Sequence, residues 1–94
     1  MKEKFTRWDP VDDLQTEQDQ VLYLNACLDE DPGDGTLVRA ALGDIARARG
    51  MTSVSRAAGI SREDLYKAFS TEGNPEFATV MRVLRALGFH LRAA

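Results

Sequence analysis

The chain has 94 residues, of which 29% are charged and 44% hydrophobic, with a net charge of −3. That balance suits one small soluble domain with a modest core and excludes a wholly disordered chain. No run approaches the roughly 18 apolar residues of a membrane span, and residues 1–8 lack the apolar centre of a signal peptide, so a cytoplasmic location is expected. A single cysteine, Cys27, and a single histidine, His90, exclude an intrachain disulfide and a zinc site built from several such ligands. Cys27 reads as a small buried thiol and His90 as a half-exposed structural histidine, so no enzyme activity, cofactor or metal is expected.

Residues 1–15 read as an N-terminal arm carrying Phe5, Trp8, Val11 and Leu14. Pro10 breaks any early helix there, and the alternation over Phe5–Trp8 allows a short strand. Trp8 either packs back onto the domain or anchors a partner. Residues 16–94 form the single helical domain. Thr16 and Asp19 have the spacing of a capping box, and Val21, Leu24 and Leu28 follow at helical spacing, giving a helix over about 17–29. Asp29–Gly35 is a loop of acids, proline and glycine, a poor neighbour for phosphates.

From Thr36 to Arg49 a second apolar stripe runs through Leu37, Ala41, Ile45 and Ala48, with Val38 and Leu42 beside it. Arg47 and Arg49 sit at the negative end of that helix and Gly50 follows in the capping position. The two arginines serve either phosphate contacts or the helix terminus. After a later loop, Pro75 suits the first turn of another helix, whose stripe is Phe77, Val80, Met81, Leu84 and Leu87. Gly88 stops it, and Phe89–Arg92 alternates as a short terminal strand would. Such a strand needs a partner, either the arm or its copy in a second subunit.

Between these helices, residues 51–70 have the layout of a helix-turn-helix. Val54, Ala57 and Ala58 give a first helix a small apolar face, Gly59 can turn left-handed at its end, and Ile60 fills the corner. Ser61 opens the second helix, with Asp64 three residues on. Leu65 and Phe69 face inward with Ala68, leaving Arg62, Glu63, Tyr66 and Lys67 outward. A short braced helix with outward hydrogen-bonding side chains is what the DNA major groove admits. Residues 1–46 carry 4 Lys/Arg against 11 Asp/Glu and residues 47–94 carry 8 against 4. The asymmetry suggests a basic surface for an anion such as DNA and an acidic one for a cationic partner.

Three blocks carry a resemblance. Residues 41–51 (Ala41-Leu42-Gly43-Asp44-Ile45-Ala46-Arg47-Ala48-Arg49-Gly50-Met51), residues 57–68 (from Ala57-Ala58-Gly59-Ile60-Ser61-Arg62-Glu63 to Leu65-Tyr66-Lys67-Ala68) and residues 73–88 (Gly73-Asn74-Pro75, Phe77 and Val83-Leu84-Arg85-Ala86-Leu87-Gly88) resemble the addiction-module antidote proteins. These are antitoxins paired with toxins of the RelE/HigB type. Trp8-Asp9-Pro10 stands where that family has Phe-Asp-Pro. The resemblance implies an all-α, lambda-repressor-like domain of about five helices that binds its operator as a homodimer and neutralises an mRNA-cleaving toxin.

Ser61, Arg62, Glu63, Tyr66 and Lys67 are then the candidate groove-facing residues: Arg62 for a guanine, Lys67 for a base or phosphate, Glu63 for a cytosine amino group or for steadying Arg62. Ser53, Arg56, Thr71 and Asn74 are secondary phosphate candidates. Two other readings compete, a stand-alone phage-type repressor and a toxin-binding module that has lost DNA binding.

Overall fold

In the computed structural model, which describes residues 9–93, a short 3₁₀ helix (Pro10–Asp13) leads into five α-helices. These are α1 (Glu17–Glu30), α2 (Thr36–Arg49), α3 (Met51–Ala58), α4 (Arg62–Ala68) and α5 (Phe77–Leu87). The all-α expectation of about five helices is met, and among the described residues there is no strand.

Local chemistry explains most of the boundaries. Thr16 Oγ1 accepts from the Asp19 N–H at 3.0 Å while the Thr16 N–H donates to Asp19 Oδ2 at 3.3 Å, closing a reciprocal capping box at the start of α1. The loop after α1 is organised by one carboxylate. Asp31 accepts from the N–H groups of Gly33, Gly35, Leu37 and Val38, so it folds the turn and caps the open first turn of α2 together. Gly50 ends α2, donating to the Ala46 carbonyl, and begins α3, accepting from the Val54 N–H. Its φ of +104° is one that only glycine adopts without strain.

α1 packs on α2, and α3 packs on both α4 and α5. The core that results is continuous through Leu24, Leu42, Ile45, Val54, Leu65 and Leu87. Burying a side chain of this size stabilises the fold by about 1.5–3 kcal/mol relative to leaving it in water. A domain of this size therefore has little surplus once one of them is truncated.

The structure departs from the sequence expectations in several places. Pro10 does not end structure. It starts the 3₁₀ helix, where its fixed φ is an asset, and Asp9 caps that turn by accepting from the Val11 N–H at 3.1 Å. Leu14 is buried in the core, whereas the strand expected over Phe5–Trp8 lies outside the described residues. Pro75 is not in the first turn of α5, which begins at Phe77 with Glu76 in the cap position.

The terminal strand is also absent. The Phe89 N–H donates to the Leu84 carbonyl at 2.9 Å and its ring turns into the core, while His90, Leu91 and Arg92 are all exposed, so the alternation is never realised. On α1 the stripe is only partly inward. Leu24 and Gln20 are buried, but Val21, Leu22 and Leu28 are open to solvent.

Candidate nucleic-acid interface

The α3–turn–α4 unit forms as the residue types dictate. Gly59 takes a φ of +76° at the end of α3 and donates to the Ser55 carbonyl, and Ile60 donates to the same oxygen. Ser61 Oγ accepts from the Asp64 N–H at 3.0 Å and opens α4. Beneath the helix, Leu65 is fully buried and Phe69 nearly so. They hold α4 against the core by two anchors one turn apart. Glu63 and Asp64 lie at its positive end and Lys67 at its negative end, both favourable to the helix dipole.

Of the candidate contact residues, Ser61, Arg62, Glu63, Tyr66 and Lys67 are all exposed, and so are Ser53, Arg56, Thr71 and Asn74. The structure brings several of them together. Tyr66 shares a hollow with Ser70 and Thr71, bounded on the α2 side by Ala40, Gly43 and Asp44. Lys67 shares a neighbouring one with Asn74. Arg62 lies over the Tyr66 ring with its guanidinium carbon 5.8 Å from the ring centre, an arrangement that steadies both long side chains one turn apart. Ser53 and Arg56 stand on the exposed side of α3 and line neither hollow.

Two arginines considered for phosphates are committed elsewhere. Arg47 pairs with Asp44 at 2.9 Å and with Asp9 at 3.2 Å. These two carboxylates push its pKa up, and Asp9 in turn is held below the usual carboxylate range, first by the Val11 N–H and then by Arg47. Arg49 donates to Gln20 Oε1 at 2.7 Å and to the Leu87 carbonyl at 3.0 Å, and lies over the Phe89 ring. It joins α1, α2 and the end of α5. Its role is structural, and with Arg47 paired the exposed cations of the α3–α4 unit are Arg56, Arg62 and Lys67.

One positioning residue was not legible in advance. Arg39 on α2 donates from Nη2 to the Thr71 carbonyl at 2.9 Å and from Nη1 to the Gly73 carbonyl at 3.0 Å. It thereby clamps the loop that carries Thr71 and Asn74. Gly73 makes that loop possible, since a Cβ there would fall 2.2 Å from the Ala68 carbonyl oxygen. The partners are backbone carbonyls more than thirty residues away, and no side-chain pattern encodes them.

Away from this face, the Tyr23 hydroxyl donates to Asp44 Oδ2 at 2.7 Å. Burial, followed by this bond to a carboxylate, pushes the Tyr23 pKa up, and burial does the same to the nearby Cys27 thiol, which argues against a reactive thiolate there. Among the described residues no three His, Cys, Asp or Glu side chains converge to hold a metal ion. No helix there is long and apolar enough to cross a membrane.

No solved structure matches the chain. A protein of Haemophilus influenzae strain Rd, described only as an uncharacterized protein, is 50% identical over 92 residues, covering 98% of this chain and 93% of its own length. A family model described as "Probable addiction module antidote protein" matches residues 4–94. With the five-helix fold and nearly the whole chain inside that match, the chain belongs to the addiction-module antidote family.

Proposed function

We propose that the chain is the cytoplasmic antitoxin of a type II module, that it neutralises an mRNA-cleaving toxin of the RelE/HigB type, and that it represses its own operon by binding the operator as a homodimer. The observation that carries the DNA reading is the exposure of Arg62, Glu63, Tyr66 and Lys67 along a helix whose other side is pinned by Leu65 and Phe69. Arg62 has the fork geometry to read a guanine edge, while Lys67 reaches a base or a phosphate. Thr71 and Asn74, held beside α4 by the clamped loop, and Ser53 and Arg56 on α3 supply the surrounding phosphate contacts. In a dimer the two α4 helices lie about 34 Å apart, one duplex turn, and the operator is palindromic.

The test is a gel shift of the full chain on the DNA upstream of its own gene, at matched salt, with Arg62→Ala beside the parent. Loss of sequence preference in the variant is expected, with affinity falling about ten-fold or more. Equal binding of parent and variant overturns the assignment of α4.

A second reading, in which the chain binds only its toxin, draws on a specific observation: α4 carries two cations and two acids, so its own charge cancels. The salt dependence of binding separates the two readings. With Arg62 on a base, two cations per protomer in contact with phosphates, Arg56 and Lys67, give a dimer a slope of log affinity against log salt of about −4. Absence of any shift at low salt favours the toxin-only reading.

A further inference from the structure

We infer that the apolar groove between α1 and α5 is the docking surface for the toxin, and that what it receives is an apolar segment flanked by cations. The inference rests on the antitoxin reading and adds to it a place on the molecule. The groove has a volume of about 300 Å³, with Leu28, Val38 and Val80 among its lining. Phe77 stands on its edge 71% exposed, and Leu91 and Leu28 are 49% and 42% exposed beside it. It continues past Val21 into a second hollow between α1 and the end of the chain. Single exposed leucines are ordinary on a small protein, but several large apolar side chains gathered on one groove mark a surface built to be covered.

Charge decides the occupant. Residues 9–38, which include the whole of the α1 wall, hold nine Asp/Glu and no Lys or Arg. Of the arginines at the groove, Arg39 has its guanidinium turned onto the Thr71 and Gly73 carbonyls, and Arg92 stands at the far end. An antidote must hold its toxin, and a toxin that binds RNA must carry cations to meet the phosphate backbone. Only Asp34 and Glu17 line the hollows themselves, but α1 as a whole, with Glu17, Asp19, Asp29 and Glu30 and no cation, complements such a protein.

The groove also leaves α4 free. On α2 it is lined by Val38 and Leu42, whereas the hollow beside Tyr66 uses Ala40, Gly43 and Asp44, on another side of the same helix. The docked toxin and DNA on α4 therefore meet only at the loop after α4, where Asn74 lines the groove as well as the hollow beside Lys67.

The probe is the protein encoded by the reading frame adjacent to the gene for this chain, co-expressed with the full chain and then titrated against it. The parent is expected to copurify with the probe, with affinity falling as salt rises. Leu28→Lys and Phe77→Ala are expected to raise the Kd about ten-fold or more, Leu28→Met to leave it near the parent's, and none of them to alter thermal unfolding or operator binding. Both positions are exposed, so the fold tolerates the changes. If the parent binds the probe and both variants bind equally well, the groove assignment is overturned while the antitoxin reading stands. If the parent fails to bind, both fall together. If Leu28→Lys dissociates a homodimer yet leaves probe binding unchanged, the face belongs to a second copy and the inference is wrong.

Discussion

Arg39 and Gly73 are joined by a hydrogen bond from guanidinium Nη1 to the carbonyl oxygen at 3.0 Å, and through it α2 holds the loop that follows α4. The same arginine holds Thr71, and Gly73 admits no side chain against the end of α4. Gly73→Ala therefore forces backbone atoms apart and is expected to cost about 1–3 kcal/mol in thermal or urea unfolding. Arg39→Met keeps the aliphatic stem and loses two charge-assisted bonds to carbonyls, an expected cost of about 1–2 kcal/mol. Operator affinity should fall in both variants by more than global unfolding accounts for, because Thr71 and Asn74 lose their support.

Ser61 separates folding from binding by a single exchange. Its hydroxyl caps α4 through the Asp64 N–H. Ser61→Ala removes the cap at an expected cost of about 1 kcal/mol, whereas Ser61→Asp keeps it. If α4 enters a groove between phosphates, Ser61→Asp retains the parent's melting temperature yet binds operator at least about ten-fold more weakly through like-charge repulsion. A variant that melts normally and binds normally shows that Ser61 lies far from DNA.

Leu65 tests whether α4 must be anchored to act. It is fully buried at the base of the helix. Leu65→Ala leaves a cavity and is expected to cost about 2–4 kcal/mol, lowering the melting temperature by roughly 10 °C or more in a domain of this size. The conservative Leu65→Met should cost less than about 1.5 kcal/mol and preserve operator binding.

Acid sensitivity should trace to Asp31. The Gly35 N–H, with those of Gly33, Leu37 and Val38, holds its carboxyl below the usual carboxylate range. A folded-state pKa below the unfolded one gives stability that is present above about pH 4 and is lost as pH falls through the folded value. The melting temperature should therefore drop between about pH 5 and pH 3. Asp31→Asn should lower it at neutral pH and flatten that acid limb, with Asp9 and Asp34, also depressed, supplying the remainder. A variant limb parallel to the parent's would falsify the assignment.

Features that depend on neighbours in sequence were legible from sequence. Thr16 with Asp19, Gly59 with Ser61, and Leu65 with Phe69 each act over one turn of helix, and all behave in the structure as their spacing requires. What escaped was set at long range. Arg49 looked available for phosphates until α1 brought Gln20 and the end of α5 brought Phe89 to it. Val21 and Leu28 carry the period of a buried stripe, yet α2 covers only part of α1 and leaves them in solvent. Phe89–Arg92 alternates like a strand, but the Phe89 N–H is taken by the Leu84 carbonyl.

For the candidate interface, the sequence supplied the residue types and their exposure followed. The support given by Arg39 did not, because its acceptors are carbonyls. The acidic half was visible as charge, and only the fold showed an apolar groove beside it.

Gly50 gives the α3–α4 unit a joint of one residue. A single pair of torsion angles, φ +104° and ψ 116°, sets the direction in which α3 leaves α2. The neighbouring space is open, with nothing within 4 Å of where a Cβ would stand, so torsion and not crowding reserves the position for glycine. One inserted residue would add two further rotations and let α4 swing independently of α2. The aim of α4 is therefore set by the rest of the domain, and if the chain binds its operator as a dimer, a change in half-site spacing must come from how two copies meet rather than from bending within one.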